Sequence, residues 1–273
     1  MTLKTALLQG TDLLAKAEVG VPRLTAEVLL CHALGRERAW LYAHSGDELR
    51  EVEWIHYGRY LDERMRGKPT QYITKKQEFY GREFRVSPAV LIPRPETEHL
   101  VEKVVALQPE GLIVDAGTGS GCIAITLALE TRARCVAVDL SADALEVARE
   151  NARRLGAEVE FIRGDWLSAL ADNSTAVVAS NPPYVAEADR ETLQREVRDW
   201  EPHLALFAGD FGLAIYRRLI PEAWRVLQPG GLLAMELGAG QAEAVTALAA
   251  GWQKINLTND LQDIPRVIVC EKP

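Results

Sequence analysis

Apolar residues recur three and four positions apart near the start of the chain, at Leu3, Leu7 and Leu14 and again at Leu24, Val28 and Leu29. That spacing predicts a small helical bundle. Ser45 followed by Glu48 has capping-box spacing and predicts a helix opening there and running to about Arg66, ended by "GKPT", Gly67 to Thr70. Alternating apolar residues on either side of Tyr80-Gly81 predict a β-hairpin, and "LIPRPETE" reads as a structured loop. Beyond Gly111 the pattern changes. "LIVDAG", "RCVAVDL", "EVEFIRGD" and "AVVASNPP" read as strands separated by helical stretches such as "SADALEVARENARRLG". The helix "LAIYRRLIPEAWRVL" is expected despite its Pro221, then the turn "QPGG", the strand "LLAMEL", a helix after Gly240 and a last strand "RVIVCEK". Such alternation implies an α/β fold, a parallel sheet covered by helices on both faces. The chain thus divides into a helical domain over residues 1–70, a hairpin and loop linker over 71–98, and a larger α/β domain over 99–273.

The 273 residues, 48% hydrophobic and 26% charged, describe an ordinary globular protein with enough chain for a full core. No apolar run approaches the ~20 residues of a membrane span, so neither a membrane segment nor a signal peptide is expected. Cys31, Cys122, Cys135 and Cys270 lie far apart and read as reduced core thiols of a cytoplasmic protein. The five histidines are equally scattered, and no metal site is expected. Charge is uneven: residues 1–75 carry 11 basic against 10 acidic groups, and the remainder 20 against 29. A net charge of −9 over the α/β part disfavours tight binding to a phosphate backbone, whose affinity comes from cationic neutralisation.

"VDAGTGSGC" sets Gly117, Gly119 and Gly121, with Thr118 and Ser120 between them, directly after a strand and before a helix. Glycines there let the backbone approach a ligand, and a helix start offers free N–H groups. A dinucleotide loop would need glycine where Cys122 stands. The next strand ends in Asp139-Leu140, where a carboxylate can accept hydrogen bonds from both ribose hydroxyls, and the third ends in Asp165-Trp166, placed to bond an adenine amino group and cover its ring. Together these groups, with Asn181 at the fourth strand end, resemble the cofactor site of class I S-adenosylmethionine methyltransferases over roughly residues 111–271. The resemblance implies that cofactor and a seven-stranded sheet whose last strand is antiparallel.

The fourth strand runs into Asn181, Pro182, Pro183 and Tyr184. Prolines lack an N–H, so their backbone offers only carbonyl acceptors, and the Asn181 side chain can add another. A planar NH2 group carries two donors to meet them. The NPPY segment of amino-methyltransferases is understood this way, with the tyrosine stacked on the acceptor's plane. It also occurs in enzymes acting on adenine N6 or cytosine N4, so flanking residues decide. "PTQYIT", "EFYGREFRV", "LIPRPETEHLVE", "EPHLALFAGDFGLAIYRRLI", "PGGLLAMELG" and the N-terminal "VPRLTAEVLLCHALG" closely resemble the HemK/PrmC family of protein-(glutamine-N5) methyltransferases. This resemblance implies a glutamine acceptor in the Gly-Gly-Gln motif of class I peptide chain release factors, with the helical domain helping to recognise that partner, no nucleic acid bound, and a monomer. Asp263 and Thr74 depart from the family pattern, where glycine is usual. Arg94, Glu96 and Glu98 either shape the pocket or build a structural loop. The rival readings are a nucleic-acid amino-methyltransferase and a cofactor-binding protein without turnover.

Overall fold

The computed structural model describes residues 1–209 and 211–273. The chain divides into two compact units, Met1–Lys75 with Gln194–Trp200, and Lys76–Leu193 with Glu201–Pro273.

The first unit opens with α1 (Leu3–Lys16), α2 (Pro22–Leu34), α3 (Arg38–Ala43), α4 (Glu51–Met65) and α5 (Thr70–Thr74). Thr2 caps α1 by accepting from the Thr5 N–H, and Pro22 and Gly35 bracket α2 as starter and left-handed stop. The apolar stripe of α1, Leu3, Ala6, Leu7 and Leu14, shares a buried core with Leu29 and Leu30 of α2 and with Tyr57 and Leu61 of α4. Glu27 of α2 is buried and bonded by Arg23, Arg38 and Tyr42, which ties α3 to α2.

The helix expected from Ser45 begins instead at Glu51. The backbone before it is already engaged: Leu3 N–H donates to the Asp47 carbonyl, Lys4 N–H to that of Ser45 and Leu49 N–H to that of Met1, each at 2.9 Å. Residues paired in this way cannot also make a helical turn. The capping carboxylate is Glu53, which accepts from the Arg50 N–H at 3.0 Å.

The second unit opens with the hairpin β1 (Lys76–Phe79) and β2 (Arg82–Arg85). Tyr80 and Gly81 both have positive φ, 52° and 68°, the two-residue turn whose twist matches the strands. There follow α6 (Glu96–Ala106), β3 (Leu112–Ala116), α7 (Cys122–Glu130), β4 (Arg134–Asp139), α8 (Ala142–Leu155), β5 (Val159–Arg163) and β6 (Thr175–Ser180). The chain continues through α9 (Arg195–Trp200), α10 (Ala214–Val226), β7 (Leu227–Glu236), α11 (Ala242–Leu248), β8 (Gln253–Asn259) and β9 (Pro265–Glu271). Of these, α9 belongs to the first unit, where Glu196 pairs with Arg64 of α4 at 2.5 Å.

Seven strands form one sheet in the order β5-β4-β3-β6-β7-β9-β8, with β9 antiparallel to both neighbours. Both faces are buried, as the alternation in the central strands requires. Val114, Val136, Val178, Leu233 and Met235 join Tyr216, Leu219 and Ile220 of α10 on one face. Ile113, Cys135, Val177 and Ala234 join Leu100 of α6 and Ile123 of α7 on the other. Pro221 sits on the exposed side of α10 without ending it. The "QPGG" stretch, expected as a turn, is absorbed into β7 as a bulge, where the register against β6 shifts between Thr175 and Val177. All four cysteines are buried and unbridged. Among the described residues no helix is long and apolar enough to cross a membrane, and no cluster of three His, Cys, Asp or Glu side chains could hold a metal ion.

Chain direction fixes where ligands can go. From β3 the chain crosses over to β4, whereas β6 lies on the other side of β3 and leads away toward β7. The connections diverge between β3 and β6, and in open α/β sheets that point leaves a crevice beyond the strand ends.

Candidate functional site

β3 delivers Asp115, fully buried, to the base of the glycine loop. One of its oxygens accepts from the Thr118 hydroxyl at 2.6 Å and from the Ala124 N–H at 3.1 Å, which holds the loop against the first turn of α7. Its other oxygen has no partner. Burial pushes this carboxyl up to about 7, against the lowering effect of those two bonds. Gly117 and Thr118 N–H both donate to the Val138 carbonyl, so the loop folds onto the end of β4. Gly121 is sterically required: at φ 84° a Cβ would lie 2.8 Å from Ile125 Cδ1 and 3.1 Å from Ala148 Cβ.

At the end of β4, Asp139 accepts from the Gly119 N–H through one oxygen and from the Ser141 N–H through the other, each at 2.9 Å. Ser141 in turn caps α8. Leu140 is half exposed beside it. Asp165, at the end of β5, pairs with Arg218 of α10 at 2.7 Å. Trp166 holds a left-handed backbone and its ring lies against Gly117.

At the end of β6, the Ser180 hydroxyl donates to the Ala116 carbonyl at 2.6 Å, binding the two strand ends together. Asn181 follows, its amide nitrogen donating to Thr97 Oγ1 at 3.0 Å. The Thr97 hydroxyl donates to Glu236 Oε2 at 2.5 Å, and Tyr184 donates its O–H to Glu236 Oε1 at 3.3 Å. Both Thr97 and Glu236 are buried. Burial raises Glu236 to about 7, and burial beside that acid raises Tyr184. Behind the turn, the Gln241 amide donates to the Tyr184 carbonyl at 2.9 Å. A side chain at Gly212 would meet that same carbonyl at 2.2 Å, so only glycine lets the segment pass.

One cavity of about 380 Å³ collects most of these groups. Its wall includes Gly117, Thr118, Gly119, Ser120, Asp139, Leu140, Asp165, Trp166, Asn181 and Pro183 of the residues singled out in the sequence. Gly121, Pro182 and Tyr184 lie outside the lining, Pro182 buried and Tyr184 turned to Glu236. Of the "LIPRPETE" stretch, Leu91, Pro93 and Thr97 reach the wall. Arg94 pairs with buried Glu201 at 2.5 Å, and Glu98 accepts from the Tyr80 N–H at 2.7 Å, so both hold loops in place. Thr97, Glu236 and Asp115 escaped the reading of the sequence. Asp115 had a legible signal, a carboxylate inside an otherwise apolar strand.

Residues 5–74 match the family described as PrmC N-terminal domain, and residues 95–205 the one described as methyltransferase small domain. The chain is 47% identical over 278 residues to the release factor glutamine methyltransferase of Koribacter versatilis, covering 100% of this chain and 99% of that protein. It is 42% identical over 281 residues to the release factor glutamine methyltransferase of Nitratidesulfovibrio vulgaris, covering 99% and 95%. Among solved structures, a methyltransferase from Pyrococcus furiosus shares the fold at 18% identity, with a TM-score of 0.54 over 74% of this chain and 93% of that one. With such identity sustained from end to end, the chain belongs to the release factor glutamine methyltransferase family.

Proposed function

We propose that the protein transfers a methyl group from S-adenosylmethionine to the side-chain amide nitrogen (N5) of the glutamine in the Gly-Gly-Gln motif of class I peptide chain release factors, as a cytoplasmic monomer. The observation that carries this reading is the meeting, in one cavity, of the glycine loop and Asp139 with Asn181 and Pro183. The cavity fits the cofactor. Its volume is in the range of small-molecule sites, and each Asp139 oxygen is engaged by a single backbone N–H, which leaves lone pairs for ribose hydroxyls. Leu140, Trp166, Phe207 and Ile215 provide apolar wall for a flat ring.

When bound, S-adenosylmethionine supplies a methyl group made electrophilic by its sulfonium. The chain supplies position and acceptors. An amide nitrogen is a poor nucleophile because its lone pair is shared with the carbonyl. Asn181 Oδ1 and the carbonyls of the proline pair accept the hydrogens of the incoming NH2, which raises electron density on nitrogen and favours a pyramidal transition state. Tyr184 lies outside the cavity lining with its hydroxyl on Glu236, and would stack on the amide's plane only by turning toward the cavity. No strong base is needed, since the methylated nitrogen is acidic and gives its proton to water. The helical unit grips the release factor elsewhere on its surface.

The test offers the protein wild-type release factor, the same factor carrying Gln→Ala at the Gly-Gly-Gln motif, and plasmid DNA, and locates any added methyl group by mass spectrometry. Label on the glutamine of the wild-type factor alone is expected. Labelled DNA, or equal label on both factors, overturns the assignment.

A further inference from the structure

A carboxamide can present either its oxygen or its NH2 to a substrate, and the two faces are nearly the same shape. Only the oxygen can accept from a glutamine amide. The cavity alone does not decide which way Asn181 points, because its side chain is part exposed. The decision is made one and two bonds behind it. Above about pH 7 Glu236 is a carboxylate, which only accepts, and its Oε2 lies 2.5 Å from Thr97 Oγ1, so in that state the single hydroxyl proton of Thr97 is committed to Glu236. Toward Asn181, 3.0 Å away, Thr97 can then only accept. The Asn181 nitrogen must therefore face Thr97, and Oδ1 is left for the substrate. Tyr184 donates to the second oxygen of Glu236 and so fixes the rotation of that carboxylate.

We infer that Thr97 and Glu236 are positioning residues, a buried hydroxyl-carboxylate relay that sets the Asn181 carboxamide with its acceptor toward the glutamine NH2. The three groups come from α6, the residue just after β6, and the end of β7, and neither Thr97 nor Glu236 need touch the reacting atoms. The inference rests on the reading of the site as a carboxamide clamp.

Thr97→Val keeps the shape and removes the hydroxyl, Thr97→Ser restores the hydroxyl, and Glu236→Leu removes the acceptor that commits the proton. Methylation of release factor is measured with each variant at pH 8, where Glu236 is ionised, together with cofactor binding by calorimetry. Thr97→Val is expected to lower kcat about 10- to 50-fold, with KM for release factor and cofactor affinity changed by no more than about threefold. Thr97→Ser should stay within about threefold of wild type, and Glu236→Leu should match Thr97→Val. Because the two residues act in series, the double variant should be no worse than either single one by more than about threefold. If Thr97→Val folds poorly, Glu236→Leu carries the same comparison. An undiminished kcat in folded Thr97→Val or Glu236→Leu overturns the relay, as does a Thr97→Ser as impaired as the valine variant, or losses that multiply in the double variant. These results strike the relay alone when wild type methylates glutamine. Methyl transfer by wild type to something other than a carboxamide overturns the relay and the functional reading together.

Discussion

On the β3–β4 side of the cavity, the polar groups come from a short run of chain: Asp115, the glycine loop, Asp139 and Ser141. Most of their partners are backbone N–H groups no more than 20 residues away, and the geometry is enforced by local sterics such as the crowding at Gly121. On the β6 side, Thr97, Asn181, Tyr184, Glu236 and Gln241 meet from three separate stretches, held by side chain to side chain and side chain to carbonyl bonds across long sequence separations. The first wall is a property of one continuous β3-α7-β4 run with the start of α8, and suits a ligand common to many chemistries. The second exists only once the whole sheet has assembled, and on the function proposed above it is the wall that meets the acceptor.

The contrast predicts that damage to each wall appears in a different measurement. The largest effect is expected from Asn181→Ala, which should lower methyl transfer roughly 100-fold or more while leaving cofactor affinity within a few-fold. A wild-type rate in the folded variant would remove the acceptor clamp. Asp139→Ala should do the reverse, weakening cofactor binding by roughly 1.5–3 kcal/mol, the scale of hydrogen bonds to a charged group. It also frees the Gly119 N–H that Asp139 pins. Calorimetry showing unchanged affinity would break the division between the walls.

A third prediction uses the buried acid of the second wall. Glu236 ordinarily titrates near 4.5 but in the folded chain near 7, chiefly because of burial. A folded value above the unfolded one means that its contribution to stability is fully present below about pH 4.5 and is lost as pH rises through about 7. Glu236→Gln removes this titration, so the variant's stability relative to wild type should improve by about 1–3 kcal/mol between pH 5 and pH 8, read from denaturant midpoints at both. A difference that does not change with pH would show that the carboxyl is not held protonated by burial. The smallest effect is expected at Asp165. It is half exposed and already paired with Arg218, and exposed pairs are worth under about 1 kcal/mol, so Asp165→Ala should change cofactor affinity by less than about fivefold. A larger loss would give Asp165 the adenine contact that the strand-end pattern suggested.

The same contrast explains what could be read without coordinates. Strand-length apolar runs marked the central sheet because both faces of β3, β4 and β6 are buried. The glycine loop and NPPY are contiguous, so they could be read as motifs. β8 is exposed along most of its length and reads "QKINLTN", whose only apolar residues are Ile255 and Leu257, too short an alternation to mark a strand. The start of α4 was misplaced because residues 45–49 pair with the first residues of the chain, a long-range competitor to a local capping signal. Thr97 and Glu236 are 139 positions apart, and neither stands in a pattern that names the other. Asp263 is intelligible afterwards: its φ is 62°, the left-handed region that explains the family's usual glycine and that aspartate tolerates better than most residues.

The membership of Gln194–Trp200 in the helical unit bears on how this protein can be cut and recombined. The chain passes between its units at three places, after Lys75, Leu193 and Trp200, so no single break separates them. A fragment beginning at Lys76 would carry α9 without the Arg64 that pairs with Glu196. A chimera that borrows the helical unit from a relative must borrow residues 194–200 with it, and a crossover at residue 75 alone would join one parent's α4 to the other parent's α9.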